Sequence, residues 1–557
     1  MRRPRRSVLL FVTAVALAAS TVAAGPAPSA ARAGGGDALD GADGGDAIDP
    51  RDAVDTTDGL DAGQGARPDP AADRLGWEAG RWHDDPLDVT VADGLTGTEL
   101  DAVVARSMAR VEAVRRLEFR ETPPVSVLDR ETYRERVANR SPPSAAARLH
   151  QNVKLEALFF VGEDTDAVAT LRADAATTTL GYYDPATERI VVVTDGGNAP
   201  VLSERTLAQE LFHALQDQVF GAFDRPWYPG NTTEAHLAAD GVIEGDGNFV
   251  EYLYGERCGS DWNCLGVAGG GDSAPPPHYG WSVLQYAPYS DGAAFVAARH
   301  DAGGWPAVNA LYDAPTASTE QYIHPEAYPD DAPERVAVPE HATRGWHVLD
   351  VPGPTDYATL GEAGVFAMLW YPSHVSTVAG DGAVVVPYDI FGEAPPDAID
   401  YRHPASTGWD GDRLVPYVNA SPGSTNETAY VWRLAWDTPA DAREFADAYR
   451  QVLAFNGAEP VPVAGQAAGE TTYRLDDSRG FADAVHVAVD GDRVTVTNAP
   501  TLAALSAVRP GVDVRPVATT SAGGGPVGGP AGLAAAVGFL VAVALLAAAG
   551  RTGGDRR

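Results

Sequence analysis

Lysine is almost missing from this chain: Lys154 is the only one among 557 residues. The 41 basic side chains face 77 acidic ones, a formal net charge of -36. A field of that sign repels nucleic acid and anionic membrane surfaces, so no nucleic-acid partner is expected. Cysteine is nearly as scarce, which excludes a disulfide-dense scaffold or a cysteine-rich zinc module. The two that occur, Cys258 and Cys264, read as a local loop-closing disulfide in an oxidising setting; a metal pair is the alternative, with no His or Cys nearby at zinc-finger spacing. Tandem repeats are lacking, and so are convincing nucleophile elbows and phosphate loops.

The two ends carry targeting patterns. Arg2, Arg3, Arg5 and Arg6 precede an uncharged run from Ser7 to Ala24 and the small-residue signature Ala31-Arg32-Ala33, so residues 1–33 read as a secretory signal peptide; an uncleaved anchor helix is the alternative. The Arg5-Arg6 pair permits twin-arginine as well as general export. At the other end, residues 531–549 are apolar, just long enough for a ~30 Å hydrocarbon core. The basic tail 550–557 would stay cytoplasmic, placing the folded part outside the cell on a single-pass anchor. This tail resembles the tripartite sorting signals of archaeal surface proteins, although Gly528-Gly529-Pro530-Ala531-Gly532 lacks their usual Pro-Gly-Phe triplet. Acidic surfaces with arginine in place of lysine likewise resemble the proteins of extreme halophiles.

Between the ends, residues 34–75 form a Gly/Ala/Asp run with too little apolar surface to offset ordering entropy, hence an expected disordered acidic linker. Thr96 is placed to cap a helix carrying Leu100, Val103, Val104, Met108, Val111 and Leu117. A strand is expected over Val125–Leu128, then a further helix, and a hairpin from Thr179-Leu180-Gly181-Tyr182-Tyr183 and Arg189-Ile190-Val191-Val192-Val193 across the turn Asp184–Thr187. Ser203 then opens a helix whose apolar side holds Leu207, Leu211, Ala214 and Leu215, with Gln209 and His213 on another side. A second helix over Ala235–Tyr254 carries a polar stripe, His236, Asp240, Glu244 and Asn248. Residues 400–515 read as a smaller α+β unit: a strand at Tyr430–Trp436, a helix from Thr438-Pro439 and a closing hairpin over Val485–Val496. A Gly/Pro-rich spacer, 516–530, leads to the apolar tail.

One passage carries chemistry. Gln209-Glu210-Leu211-Phe212-His213 differs by one residue from His-Glu-x-x-His, in which two histidines four apart on a helix bind zinc and the intervening glutamate is the general base. Together with Gly181-Tyr182-Tyr183-Asp184-Pro185, the run Ala214-Leu215-Gln216-Asp217-Gln218 and Ile243-Glu244-Gly245-Asp246, it resembles the gluzincin type of zincin-like metallopeptidase. More narrowly, residues 95–510 resemble a haloarchaeal membrane-anchored surface-protein family of unknown activity, through Ser318–Pro325, Leu360-Gly361-Glu362 and Gly408–Arg413 as well. The resemblance implies an α+β chain: a zincin-like domain over 76–399 with an edge-strand hairpin and active-site helix, then the smaller unit and a C-terminal transmembrane helix. It implies His213 and Glu244 as metal ligands, Gln209 at a lost ligand position and Glu210 as general base of an active enzyme. His324, between Ile323 and Pro325, is a candidate for steadying an oxyanion, with a structural loop histidine as the alternative. Because an amide oxygen is a weak donor, zinc is expected to be weak or absent. The expected function is therefore a catalytically impaired, pseudo-peptidase surface protein binding a peptide or surface-protein ligand; the alternative is an active extracellular zinc metallopeptidase.

Overall fold

The computed structural model describes residues 12–13, 54–55, 70, 74–89, 94–194, 203–265, 278–353, 355–379, 384–391, 398–420, 427–463 and 466–512. Thr96 starts the first long helix: its hydroxyl accepts from the Glu99 N–H while the Glu99 carboxylate accepts from the Thr96 N–H, closing a reciprocal cap. Helix α1 (Gly97–Arg115) leads to β1 (Val125–Asp129), α2 (Arg130–Ala138), α3 (Ala145–Ala157), α4 (Ala167–Thr178) and the hairpin β2 (Thr179–Asp184) and β3 (Arg189–Thr194). Two long helices follow, α5 (Glu204–Phe220) and α6 (Thr233–Arg257), then α7 (Tyr279–Tyr286), α8 (Asp291–Ala310) and the single turn α9 (Glu320–Ile323). The remainder is β4 (Trp346–Val348), α10 (Gly361–Ala379), β5 (Trp409–Asn419), β6 (Thr428–Trp436), α11 (Pro439–Phe455), β7 (Glu459–Pro460), β8 (Glu470–Arg474), β9 (Ala484–Asp490), β10 (Arg493–Ala499) and α12 (Leu502–Val508). The class is α+β.

In the smaller sheet β3 pairs antiparallel with β2 and parallel with β1, and the two-residue strands Val12–Thr13 and Val54–Asp55 lie along the outer sides of β2 and β1. The larger sheet is antiparallel throughout, in the order β7-β8-β9-β10-β6-β5-β4. Strand β6 shows how its sequence is used on both faces. Tyr430, Trp432, Leu434 and Trp436 enter the main core beside α11, whereas Ala429 and Val431 pack on the other face with Leu505 and Val508 of α12. Thr438 and Asp441 cap α11 reciprocally and Pro439 occupies its first turn.

Helix α1 is buried along most of its length although it carries Arg106, Arg110 and Arg115. A buried guanidinium must be paired, and each is. Arg106 and Arg110 hold Glu204, the first residue of α5, at 3.0 and 2.5 Å. Arg115 grips Asp246 of α6 at 2.9 Å. Three arginines of one helix thereby fix the two helices that carry the candidate site.

Helix α6 contains four glycines, Gly241, Gly245, Gly247 and, in its last turn, Gly255; each interior one costs ~1 kcal/mol of helix propensity relative to alanine. Two of them are needed for close approach. A Cβ on Gly245 would stand 2.6 Å from the Gly292 carbonyl oxygen of α8, and one on Gly241 would stand 2.3 Å from the Tyr322 ring.

The helix at Ala363–Trp370 is longer than expected, running on through Pro372. The expected signal peptide and acidic linker fall almost wholly outside the described residues, and the spacer, the apolar span 531–549 and the basic tail entirely so. Among the described residues no helix is long and apolar enough to cross a membrane.

Candidate functional site

Ser203 caps α5, and its apolar side sinks Leu207, Leu211, Ala214 and Leu215 into the core. That rotation brings Gln209, Glu210, His213 and Gln216 against β2 and α6, all at most 2 % exposed. Small residues opposite make room for them: a Cβ on Gly247 would lie 3.1 Å from His213 Cε1, and one on Gly181 would lie 3.6 Å from Glu210 Oε1.

His213 is oriented from behind. Its Nδ1 donates to Gln216 Oε1 at 2.8 Å, and Gln216 Nε2 in turn reaches the Ile243 carbonyl oxygen and the Tyr312 hydroxyl. Tyr312 donates to Asp246, which Arg115 holds through both carboxylate oxygens. This relay fixes which imidazole nitrogen points forward. His213 Nε2 faces Glu244 Oε2 at 3.2 Å. Burial, the largest effect, opposes a charge on His213, but Glu244, by charge and by contact, together with Glu210 and the Gln216 bond, outweighs it and pushes the imidazole up to about 9.

Around that pair the acids are crowded. Burial pushes Glu210 up to about 8; His213 relieves part of the shift and Glu244 adds to it. Glu210 lies by the Tyr183 backbone amide of β2, yet neither of its oxygens has a formed hydrogen bond. Asp240, one turn before Glu244, is pushed well above the usual carboxylate range by burial and then by Glu244, and sits 3.2 Å from His236. The Tyr228 and Tyr289 hydroxyls, beside Asp240 and Glu244 respectively, and Gln209 Nε2 are also buried without a formed hydrogen bond. Each orphaned group costs ~1–3 kcal/mol, so this is a place where the fold gives up stability.

The two ends of the expected ligand set fit zinc: 3.2 Å between His213 Nε2 and Glu244 Oε2 is near the ~3.3 Å that two tetrahedral ligands at ~2.05 Å would show. The third donor does not. Among the described residues, the one trio of His, Cys, Asp or Glu with ligand atoms all within 4.8 Å of one another is Glu320, Asp331 and Asp437, so neither Asp240 nor Glu210 completes the His213–Glu244 pair. At the motif's third ligand position the sequence has Gln209, whose neutral amide oxygen is a weaker zinc donor than an imidazole or carboxylate, so among the described residues the donor set does not fit a resident zinc ion.

Of the residues singled out from sequence, Gln209, Glu210, His213 and Glu244 come together. His324 is engaged elsewhere, its Nε2 3.0 Å from Glu362 Oε1 at the start of α10. Cys258 and Cys264 form a disulfide with Cα atoms 5.4 Å apart, at the C-terminus of α6. Sequence reasoning did not assign roles to Arg115, Gln216, Asp246, Tyr228, Tyr289 or Tyr312. Gln216 and Asp246 lie inside the Ala-Leu-Gln-Asp-Gln and Glu-Gly-Asp runs, so a signal for them was present; the tyrosines come from separate segments with none.

Over residues 348–509 the chain is similar to a family described as a domain of unknown function (DUF8575). The matched stretch runs from the last residue of β4 to just past α12, and contains Glu362 and Asp437 but not α5 or α6. No curated protein and no solved structure matches the chain.

Proposed function

We propose that this chain is an exported, membrane-anchored cell-surface protein with a zincin-like core that no longer works as a peptidase and serves a surface or binding role. Gln209 carries that reading. An active zincin site needs a third strong ligand beside His213 and Glu244, and the neutral amide at position 209 is the only group that stands where the motif expects one. Without a metal, the buried group balances its charge by protons, with His213 as imidazolium against Glu244 and Glu210 largely protonated at neutral pH. Supporting the zincin-like reading are α5 beside the β2–β3 hairpin, the glutamate-bearing α6 behind it, and the Gln216–Tyr312–Asp246 relay that orients His213, the kind of support that metal-binding imidazoles receive. Export and anchoring rest on the terminal sequence patterns.

The alternative, an active extracellular zinc peptidase, draws on Glu210, whose oxygens have no formed hydrogen bond beside β2. Zinc content of the protein purified in molar salt, with peptide cleavage by wild type and Glu210→Gln, separates the two. Absence of both zinc and cleavage is expected. Stoichiometric zinc with cleavage abolished by Glu210→Gln would establish the alternative.

A further inference from the structure

The trio Glu320, Asp331 and Asp437 lies outside the site just described. Glu320 opens α9, Asp331 follows eight residues after that turn, and Asp437 sits between β6 and α11, immediately before the Thr438 cap. One carboxylate oxygen from each falls within 4.8 Å of the other two. Oxygens bound to one calcium ion at ~2.4 Å lie no more than ~4.8 Å apart, a condition that this trio meets.

An acidic cluster alone proves little, since exposed carboxylates gather on many surfaces. Glu320 is different. The residue is 4 % exposed and its carboxylate has no formed hydrogen bond, whereas Asp331 and Asp437 are both exposed. The charges that bear on it most are all acidic, from Glu362, Asp437, Asp331 and Glu234, and burial together with that repulsion pushes it up to about 9. Asp437 is raised too, by burial and then by Asp331, Asp410 and Asp441. A buried carboxylate surrounded by carboxylates is costly unless a cation or a proton neutralises it.

We propose that Glu320, Asp331 and Asp437 form a structural site for a hard divalent cation, calcium by preference, that ties α9 and the segment after it to the β6–α11 turn of the DUF8575 region. The donors are all carboxylate oxygens, which suits calcium or magnesium rather than a soft metal. Two exposed carboxylates leave an open side for the waters that complete six to eight ligands, and ligands from three separate segments favour the looser shell of calcium over the strict octahedron of magnesium. Residues 324–345, which contain Asp331, hold no helix or strand among the described residues, so the ion would fix this long connection between α9 and β4. In molar salt, exposed carboxylate clusters are screened within ~3 Å, whereas a bridging ion bound directly by a buried carboxylate is not. The site is independent of the zincin reading: Glu234, its nearest acidic neighbour on α6, precedes Glu244 by ten residues, or ~15 Å of helix.

The test uses the full-length chain in detergent and molar KCl, stripped with a chelator and titrated with calcium chloride by equilibrium dialysis, alongside Asp331→Asn, Asp437→Asn and Glu320→Gln. The two aspartates are exposed, so their variants will fold even if Glu320→Gln does not. Expected are one calcium per chain, at least tenfold weaker binding in Asp331→Asn and Asp437→Asn, a calcium-dependent rise in melting temperature of about 3 °C in wild type only, and calcium-dependent protection of residues 324–345 from protease. No calcium uptake by wild type, or undiminished affinity in both aspartate variants, would overturn the proposal; the first result would leave Glu320 neutralised by a proton.

Discussion

Replacing Arg115 with methionine should lower the melting temperature by several degrees and disturb His213 at the far end of a hydrogen-bonded relay. Arg115 donates from Nε and Nη2 to both oxygens of Asp246, and neither side chain is exposed at all. Its guanidinium also lies 4.3 Å from the Trp305 ring centre. Methionine fills much of the volume but leaves Asp246 as a buried carboxylate with only the Tyr312 hydroxyl for support. Breaking one side of a buried pair costs ~3–5 kcal/mol, most of it the stranded charge. With an unfolding entropy of ~2.1 cal/mol/K per residue taken over the roughly 400 described residues, that converts to a drop of about 4–6 °C. Scanning calorimetry of the purified protein at fixed molar salt measures it. The double variant Arg115→Met/Asp246→Leu removes the stranded charge and should recover most of the loss. Because Asp246 positions Tyr312, Gln216 and through them His213, the single variant should also shift the His213 imidazole resonances. A single variant melting within about 1 °C of wild type, or a double variant no more stable than the single, would refute the reasoning.

Three further outcomes follow from local geometry. Gly245→Ala places a methyl 2.6 Å from the Gly292 carbonyl oxygen, a backbone atom that cannot swing aside, so a loss of ~2–3 kcal/mol is expected in thermal melts. Removing the Cys258–Cys264 disulfide by serine replacement should cost only about 2 kcal/mol, because the closed loop is short, with a sequence separation of 6; wild type melted with reductant should match the variant. Glu156 is held up to about 8 by burial and then by Asp483 and Glu163, above its ordinary 4.5. Folding therefore takes up a proton at Glu156: its contribution to stability is fully present below about pH 4.5 and is lost as pH rises through about 8. Glu156→Gln should flatten the pH dependence of the melting temperature across that window and melt higher than wild type at its alkaline end.

Elements with a strong period or a cap were legible from sequence. Thr96, Ser203 and Thr438 each mark a helix start that the structure keeps, and the β2–β3 and β9–β10 hairpins follow their turns. A helix after the β1 strand was read without bounds, and α2 stands there; α3, α4, α7 and α8 were not read, because stretches such as the glycine-interrupted Asp291–Ala310 carry little apolar period and are held by tertiary packing. At the site, the spacing of Gln209, Glu210 and His213 and the polar stripe of α6 announced which side chains would meet, since helix periodicity alone sets their faces. What lies behind them was hidden. Arg115 stands 131 residues from Asp246, and Tyr312 another 66 beyond, so their meeting depends on how whole helices pack. The acidic trio was hidden for the same reason, with its members scattered from α9 to the β6–α11 turn.

Zinc affinity of wild type and Gln209→His, measured side by side by competition with a chelator of known strength at fixed pH and salt, bears most directly on the His213–Glu244 pair. Wild type should bind zinc weakly, and the histidine variant, supplying the third strong ligand, at least ~100-fold more tightly. Tight, stoichiometric zinc in wild type, with little gain from histidine at position 209, would contradict the account.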